Sequence, residues 1–270
     1  MTTERTSGSD RAEERIDLVR AELSELTRTV ADVDRPEPFG VYAFDTLHPG
    51  AALARIVERE VFWEAFGNAP DLLEREYGPY EAASVFFCVV DHRRQIPVGM
   101  MRCVTPNPAG LKSLNDMASA WDDDPGLAQA RTGISLPEQS TWDIATLAVR
   151  HDYRGTAARG LVSLALFRAL SMAHLQFGFT HMVTIMDTKV LRLLQLQLRQ
   201  LFHPFVGVVA RSYLDSPLSL PVWSDIHAWI AVQLASDSAI YDVLFRGGGL
   251  VGAVATPDWQ PLEAALGRGV

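Results

Sequence analysis

The 270-residue chain has only two cysteines, Cys88 and Cys103, each inside an apolar run. They are too few for a disulfide framework and lack metal-ligand spacing, so both read as buried structural thiols. Basic residues are in deficit: 24 Lys+Arg against 33 Asp+Glu give a formal charge of −9. That argues against nonspecific nucleic-acid binding, although a local basic cleft remains compatible with it. The seven histidines show neither HxH nor HExxH spacing, so no metal is expected. No run of about 18 apolar residues occurs, because Arg159, Arg168 and His174 interrupt the longest one. The polar start "MTTERTSGSDRAEER" lacks an apolar signal core, so a cytoplasmic location without a membrane span is expected. "SLALFRAL" lacks the glycines of a nucleophile elbow. Glycine-rich "RGGGLVG" follows a predicted helix, where a nucleotide loop would follow a strand.

With 48% hydrophobic and 21% charged residues the composition is globular. Residues 1–10 read as disordered. The spacing of Ile16, Val19, Leu23 and Leu26 predicts an amphipathic helix over 11–33. A strand is expected at 39–47, a helix at 49–67, and a hairpin of strands 83–91 and 97–106 joined by "HRRQI". Residues 107–140 form a long loop with one or two short helices, a length usually tied to function. Then come a strand at 141–150, an apolar helix at 158–177, a strand at 180–187, an amphipathic helix at 188–202 and a last strand at 205–214. Proline-rich "SPLSLPVW" is read as leading out of that strand towards helices near 225–235 and 237–246. This order predicts an α/β (α+β) fold with a mixed central sheet flanked by helices. The chain divides into residues 1–36 (disordered start and N-terminal helix), a core at 37–215, and a C-terminal helical extension and tail at 216–270.

The stretch "TWDIATLAVRHDYRGTAARG" (141–160) carries the main functional signal. A buried strand runs into a basic, small-residue turn and then a helix. A helix N-terminus has unpaired N–H groups and partial positive charge, which favours phosphate. Arg154 and Arg159 add charge-assisted contacts. The plain alternative is an ordinary strand–turn–helix with surface arginines.

The element order and "YRGTAARG" resemble the GNAT acyltransferase superfamily, in which such a turn holds the pyrophosphate of an acyl carrier. Ala157 stands where that pattern has glycine, and Arg159 fills the next position. Within the superfamily, "REVFWEAFG" (59–67), "VGMMRCVTP" (98–106, with Gly99 and Arg102) and "TWDIATLAV" (with Trp142 and Asp143) are similar to the acyl-homoserine-lactone synthases and long-chain N-acyl amino acid synthases. Two positions depart from the lactone synthases, which have arginine where this chain has Glu58 and Thr146. Lactone synthesis from S-adenosylmethionine is therefore not expected. The tyrosine many relatives place after the fourth strand is absent from "LRQLFHPF", where His203 lies nearby.

The resemblance implies an N-acyltransferase using acyl-CoA or another acyl-phosphopantetheine as co-substrate, without a metal. Its acceptor would be a small-molecule amine or amino acid, and an acyl carrier protein is a candidate partner. Leu147, Ala148, Val149, Arg154, Gly155, Thr156, Ala157, Arg159 and Gly160 are the expected cofactor contacts. Asp143 is the first candidate general base, sharing a strand face with Ala145 and Leu147 by alternation. Glu138 is its reserve, His203 a candidate acid, and Arg102, Trp142, Phe62 and Met101 candidate substrate contacts. The structural alternative for Asp143 is an ion pair with Arg102. Arg93, Arg94, Arg150, Arg154 and Arg159 offer a basic patch for a carrier. Two other readings stay open: a transferase taking its acyl group from aminoacyl-tRNA, and a non-catalytic binding or sensor domain.

Overall fold

The computed structural model describes residues 6–155, 160–236, 238–257, 259 and 262, with side chains from Leu18 onward except Pro70. One sheet organises these residues. Its strands are β1 (Phe39–Asp45), β2 (Ser84–Asp91), β3 (Ile96–Val104), β4 (Thr141–Val149), β5 (His181–Asp187), β6 (His203–Pro204), β7 (Arg211–Tyr213) and β8 (Ser216–Asp225). They lie in the order β1-β2-β3-β4-β5-β8-β6, with β7 beside β8. Only β4 and β5 pair in parallel. The helices are α1 (Thr6–Val30), α2 (Ala51–Phe66), α3 (Pro70–Tyr77), α4 (Lys112–Ala120), α5 (Pro125–Thr132), α6 (Leu161–Phe177), α7 (Thr188–Gln197), α8 (Ile226–Ala235) and α9 (Ala239–Tyr241). The mixed α/β architecture and the β2–β3 hairpin agree with expectation. Among the described residues no helix is long and apolar enough to cross a membrane.

Alternation along each strand sorts side chains onto two buried faces. Val41, Val85, Phe87, Val98, Met101, Cys103, Trp142 and Ile144 join the core formed with α6. Tyr42, Phe44, Phe86, Cys88, Met100 and Ala148 pack with α2, and Leu23, Leu26 and Val30 of α1 close that side. Gly99 belongs to the first face for a steric reason: a Cβ there would lie 2.4 Å from Val162 Cγ1 at the start of α6. Both cysteines are free and buried, and burial pushes the Cys88 thiol up to about 12.

Three expectations need correction. Helix α1 takes in residues 6–10, which had been read as disordered. Helix α7 stops at Gln197, where Trp229 Nε1 donates to the Leu198 carbonyl at 2.8 Å and Arg199 and Gln200 turn left-handed. The segment 205–214 contributes only β7, and the long last strand is the proline-containing 216–225. Its prolines are tolerated because β6 pairs with Val222 and Trp223 and β7 with Ser216 and Ser219, leaving Pro217 and Pro221 opposite neither. The sheet thus continues ten residues beyond position 215, into what had been taken as the helical extension.

Candidate active site

The site begins with one extra residue. Val104 faces Asp143 and Cys103 faces Ile144, but Arg102 faces Thr146, so Ala145 bulges out of β4. Strands β4 and β5 pair only from Thr141–Asp143 to His181–Val183, and beyond Asp143 they diverge. The bulge also resets alternation. Thr146 shares the face of Asp143, and Leu147 packs with the α6-side core, which corrects the expectation that Asp143, Ala145 and Leu147 share one face.

A cavity of about 130 Å³ occupies the gap. Ile144 to Leu147 form one wall and Thr184 to Asp187 the other. Phe62 and Phe66 from α2, Tyr77 from α3, and Tyr213, Ser216 and Ser219 from β7 and β8 complete it. A larger open groove of about 870 Å³ lies between α1, α2 and residues 150–153. Glu60 and Glu64 border it alongside Arg94 and Arg150.

Behind the cavity lie two buried polar networks. In the first, Arg102 (3% exposed) donates to Glu58 from Nε (3.1 Å) and Nη2 (2.6 Å), and to Glu81 from Nη1 (2.7 Å). Thr146 adds its hydroxyl proton to Glu58 at 2.5 Å, and the guanidinium lies 4.7 Å from the centroids of Tyr77 and Phe86. Glu58 and Thr146, the two departures from the lactone-synthase pattern, are therefore in direct contact.

In the second network Lys112 donates to Glu76 (2.9 Å), to Asp116 and to the Tyr213 hydroxyl (3.0 Å), and Tyr213 donates to Asp116. Burial, then the neighbouring Tyr77, Asp116 and Asp143, holds the Tyr213 phenol far above its ordinary range. Burial does the same for Tyr77, with Glu58 adding to it.

Asp143 is fully buried and accepts from Ser113 N (2.5 Å) and Ser113 Oγ (2.7 Å) in the first turn of α4. Burial raises its carboxyl to about 6, against the lowering effects of Ser113 and Lys112. It does not pair with Arg102, which is occupied by Glu58 and Glu81, so that expectation is corrected. Asp143 sits behind the cavity wall, near enough that its charge raises both tyrosines.

The other expected residues divide clearly. Phe62 and Leu147 line the cavity. Ala148 and Val149 pair with Met100 and Gly99 at the end of the same strand. Gly155 and Gly160 have φ of +57° and +70°, and Gly160 N donates to Gly155 O at 2.9 Å just before α6. Thr156, Ala157 and Arg159 lie outside the described residues. Arg154 Nε donates back to Val149 O at 2.6 Å. Met101 is core, and Trp142 stacks on Phe179 at 4.3 Å beneath α6. Glu138 is exposed before β4, on the paired side of the opening. His203 lies over Trp223 in a separate groove of about 180 Å³. The sequence reasoning missed Tyr77, Tyr213, Ser216 and Ser219. Nothing in "EREYG" or "RSYLDSPLS" distinguishes them from ordinary packing residues.

A sheet opened between parallel β4 and β5, with a glycine turn leading into the helix behind, is the fold of the GNAT acyltransferases. Among solved structures, the chain is similar to BjaI, described as a CoA-dependent acyl-homoserine lactone synthase and solved with MTA. That match has 17% identity and a TM-score of 0.50, covering 81% of this chain and 92% of BjaI. It is similar to the same extent to FeeM, an N-acyl amino acid synthase from uncultured soil microbes, with 14% identity and a TM-score of 0.50 over 73% of this chain and 96% of FeeM. No family model and no curated protein sequence matches the chain.

Proposed function

We propose that this protein is an N-acyltransferase that moves an acyl group from acyl-CoA to a small amine. The observation that carries this is the divergence of β4 from β5, with Gly155 and Gly160 hydrogen-bonded to each other just before α6. The open edge of β4 offers backbone groups to a pantetheine arm and to the thioester oxygen. The start of α6 offers unpaired N–H groups to a pyrophosphate. CoA is favoured over an acidic carrier protein because much of the expected basic patch is engaged. Arg150 pairs with Glu60 at 2.6 Å, and Arg94 donates to Tyr153 at 2.9 Å. At about 130 Å³ the cavity falls below the usual range for drug-sized ligands, which supports a short acyl group.

The chemistry follows from proton positions. The amine must lose a proton before its nitrogen attacks the thioester carbon, and the expelled thiolate must gain one. Tyr213 stays protonated at neutral pH, accepts from Lys112 and donates to Asp116. It can therefore take a proton from the amine while passing its own inward, and return one to the thiolate. Asp143 supports this relay through the field it exerts on both tyrosines, without touching substrate.

Calorimetric titration with CoA and a thiol-release assay with short-chain acyl-CoA and a primary amine test the reading. Micromolar CoA binding and amine-dependent thiol release are expected. No CoA binding at millimolar concentration overturns it. Tyr213→Phe keeps the ring but removes the relay, and turnover is expected to fall at least ~100-fold with CoA affinity unchanged.

A further inference from the structure

Most of the hydroxyls around the cavity turn their protons away from it. Ser216 donates to Asp187 at 2.8 Å, so Ser219, 2.9 Å from Ser216, must give its proton to Ser216. The proton of Thr146 lies on Glu58, that of Tyr213 on Asp116, and that of Tyr77 on the Ala145 carbonyl at 3.4 Å. Five of the six lining hydroxyls therefore present only lone pairs to the cavity, the sixth being Thr184. The one ionisable lining group besides the tyrosines is the Asp187 carboxylate, and the described lining residues include no Lys, Arg or His.

The cations behind the walls are paired with carboxylates. All three ammonium donors of Lys112 are taken by Glu76, Asp116 and Tyr213. Arg102 directs Nε, Nη1 and Nη2 at Glu58 and Glu81. An ammonium group brings three donors to such walls. A carboxylate finds no free cation there and faces a surplus of negative charge, so its desolvation goes uncompensated.

From this we infer the acceptor class: a primary alkyl or arylalkyl amine with no carboxylate beside the reacting nitrogen, rather than an α-amino acid. The inference rests on the transferase reading above and deepens it. Ser219, Ser216 and Asp187 hold the ammonium on the β8 side of the cavity, across from the β4 edge.

The test uses matched pairs: isoamylamine against leucine, phenethylamine against phenylalanine, and tyramine against tyrosine. Each is supplied with a short-chain acyl-CoA, and both thiol release and product mass are read. The amine of each pair is expected to exceed its amino acid in kcat/KM by at least ~100-fold. Equal or better use of the amino acids overturns the acceptor class and leaves the transferase reading standing. If no acyl-CoA is consumed, calorimetric binding of the same pairs to the whole chain still decides. Tighter binding of the amines upholds the acceptor class while the transferase reading fails, and binding of neither member overturns it. Ser219→Ala, with its melting temperature checked against the parent, is expected to raise KM for the amines several-fold with kcat little changed. An unchanged KM removes the serine chain from recognition.

Discussion

The two faces of β4 are equally inaccessible and chemically opposite. On one, Trp142 and Ile144 lie under α6 among aliphatic and aromatic side chains. On the other, Asp143 and Thr146 meet Ser113, Glu58 and, through Glu58, Arg102. The first face is stabilised by area removed from water. The second holds charge in a dry place, which persists only while every partner is present. The cavity of the candidate site touches both faces, through Ile144 and Leu147 on the first and Thr146 on the second.

Truncation gives the largest effects and should separate the two faces by rescue. Trp142→Ala and Glu58→Ala are each expected to destabilise the protein by about 3–5 kcal/mol in urea unfolding. The first leaves a cavity that no single partner change repairs. The second strands the Arg102 guanidinium, so adding Arg102→Met should recover a substantial part of the loss. If the double variant is no more stable than Glu58→Ala, the charged face behaves like the apolar one and the distinction fails.

Next in size is a pH effect confined to the charged face. The Asp143 carboxyl is raised from 3.8 to about 6, so between those values the folded state binds more proton than the unfolded one. Stability attributable to this group therefore falls as pH rises from about 4 to 6, by about 3 kcal/mol in all. Asp143→Asn should lack that slope, giving a flatter stability curve over the same interval. Identical curves would mean that burial does not disfavour the charge. The smallest effect belongs to the apolar face: Ile144→Val is expected to lose only about 1 kcal/mol in urea unfolding.

Much of the fold was legible because long apolar runs and glycine stops report local geometry directly. Gly67 and Gly178, both left-handed, end α2 and α6 about where the residue pattern placed them. The last strand was not legible. Pro217 and Pro221 argue against a strand unless it is known that β6 and β7 face neither of them. For the site, "TWDIATLAV" is the strand that opens, and Phe62 and Leu147 line the cavity beside it. Trp142 and Met101 went to the α6-side core instead, and the bulged Ala145 decides only the faces of the β4 residues after it. Tyr77 and Tyr213 acquire meaning only through hydrogen bonds to Asp116, Lys112 and the Ala145 carbonyl, which span from 68 to 101 positions of the chain. A local pattern cannot carry that information.

The bulge at Ala145 has an evolutionary consequence. No point substitution removes a residue, so side-chain changes can reshape the cavity but cannot re-zip β4 to its neighbour. Deleting one residue would do so, but it would also turn every position from Thr146 to Val149 over, exposing the apolar layer and burying the wrong groups. The opening is therefore locked to the hydrophobic core. Substitutions can reshape the lining of the cleft, whereas losing the cleft itself demands losing the fold.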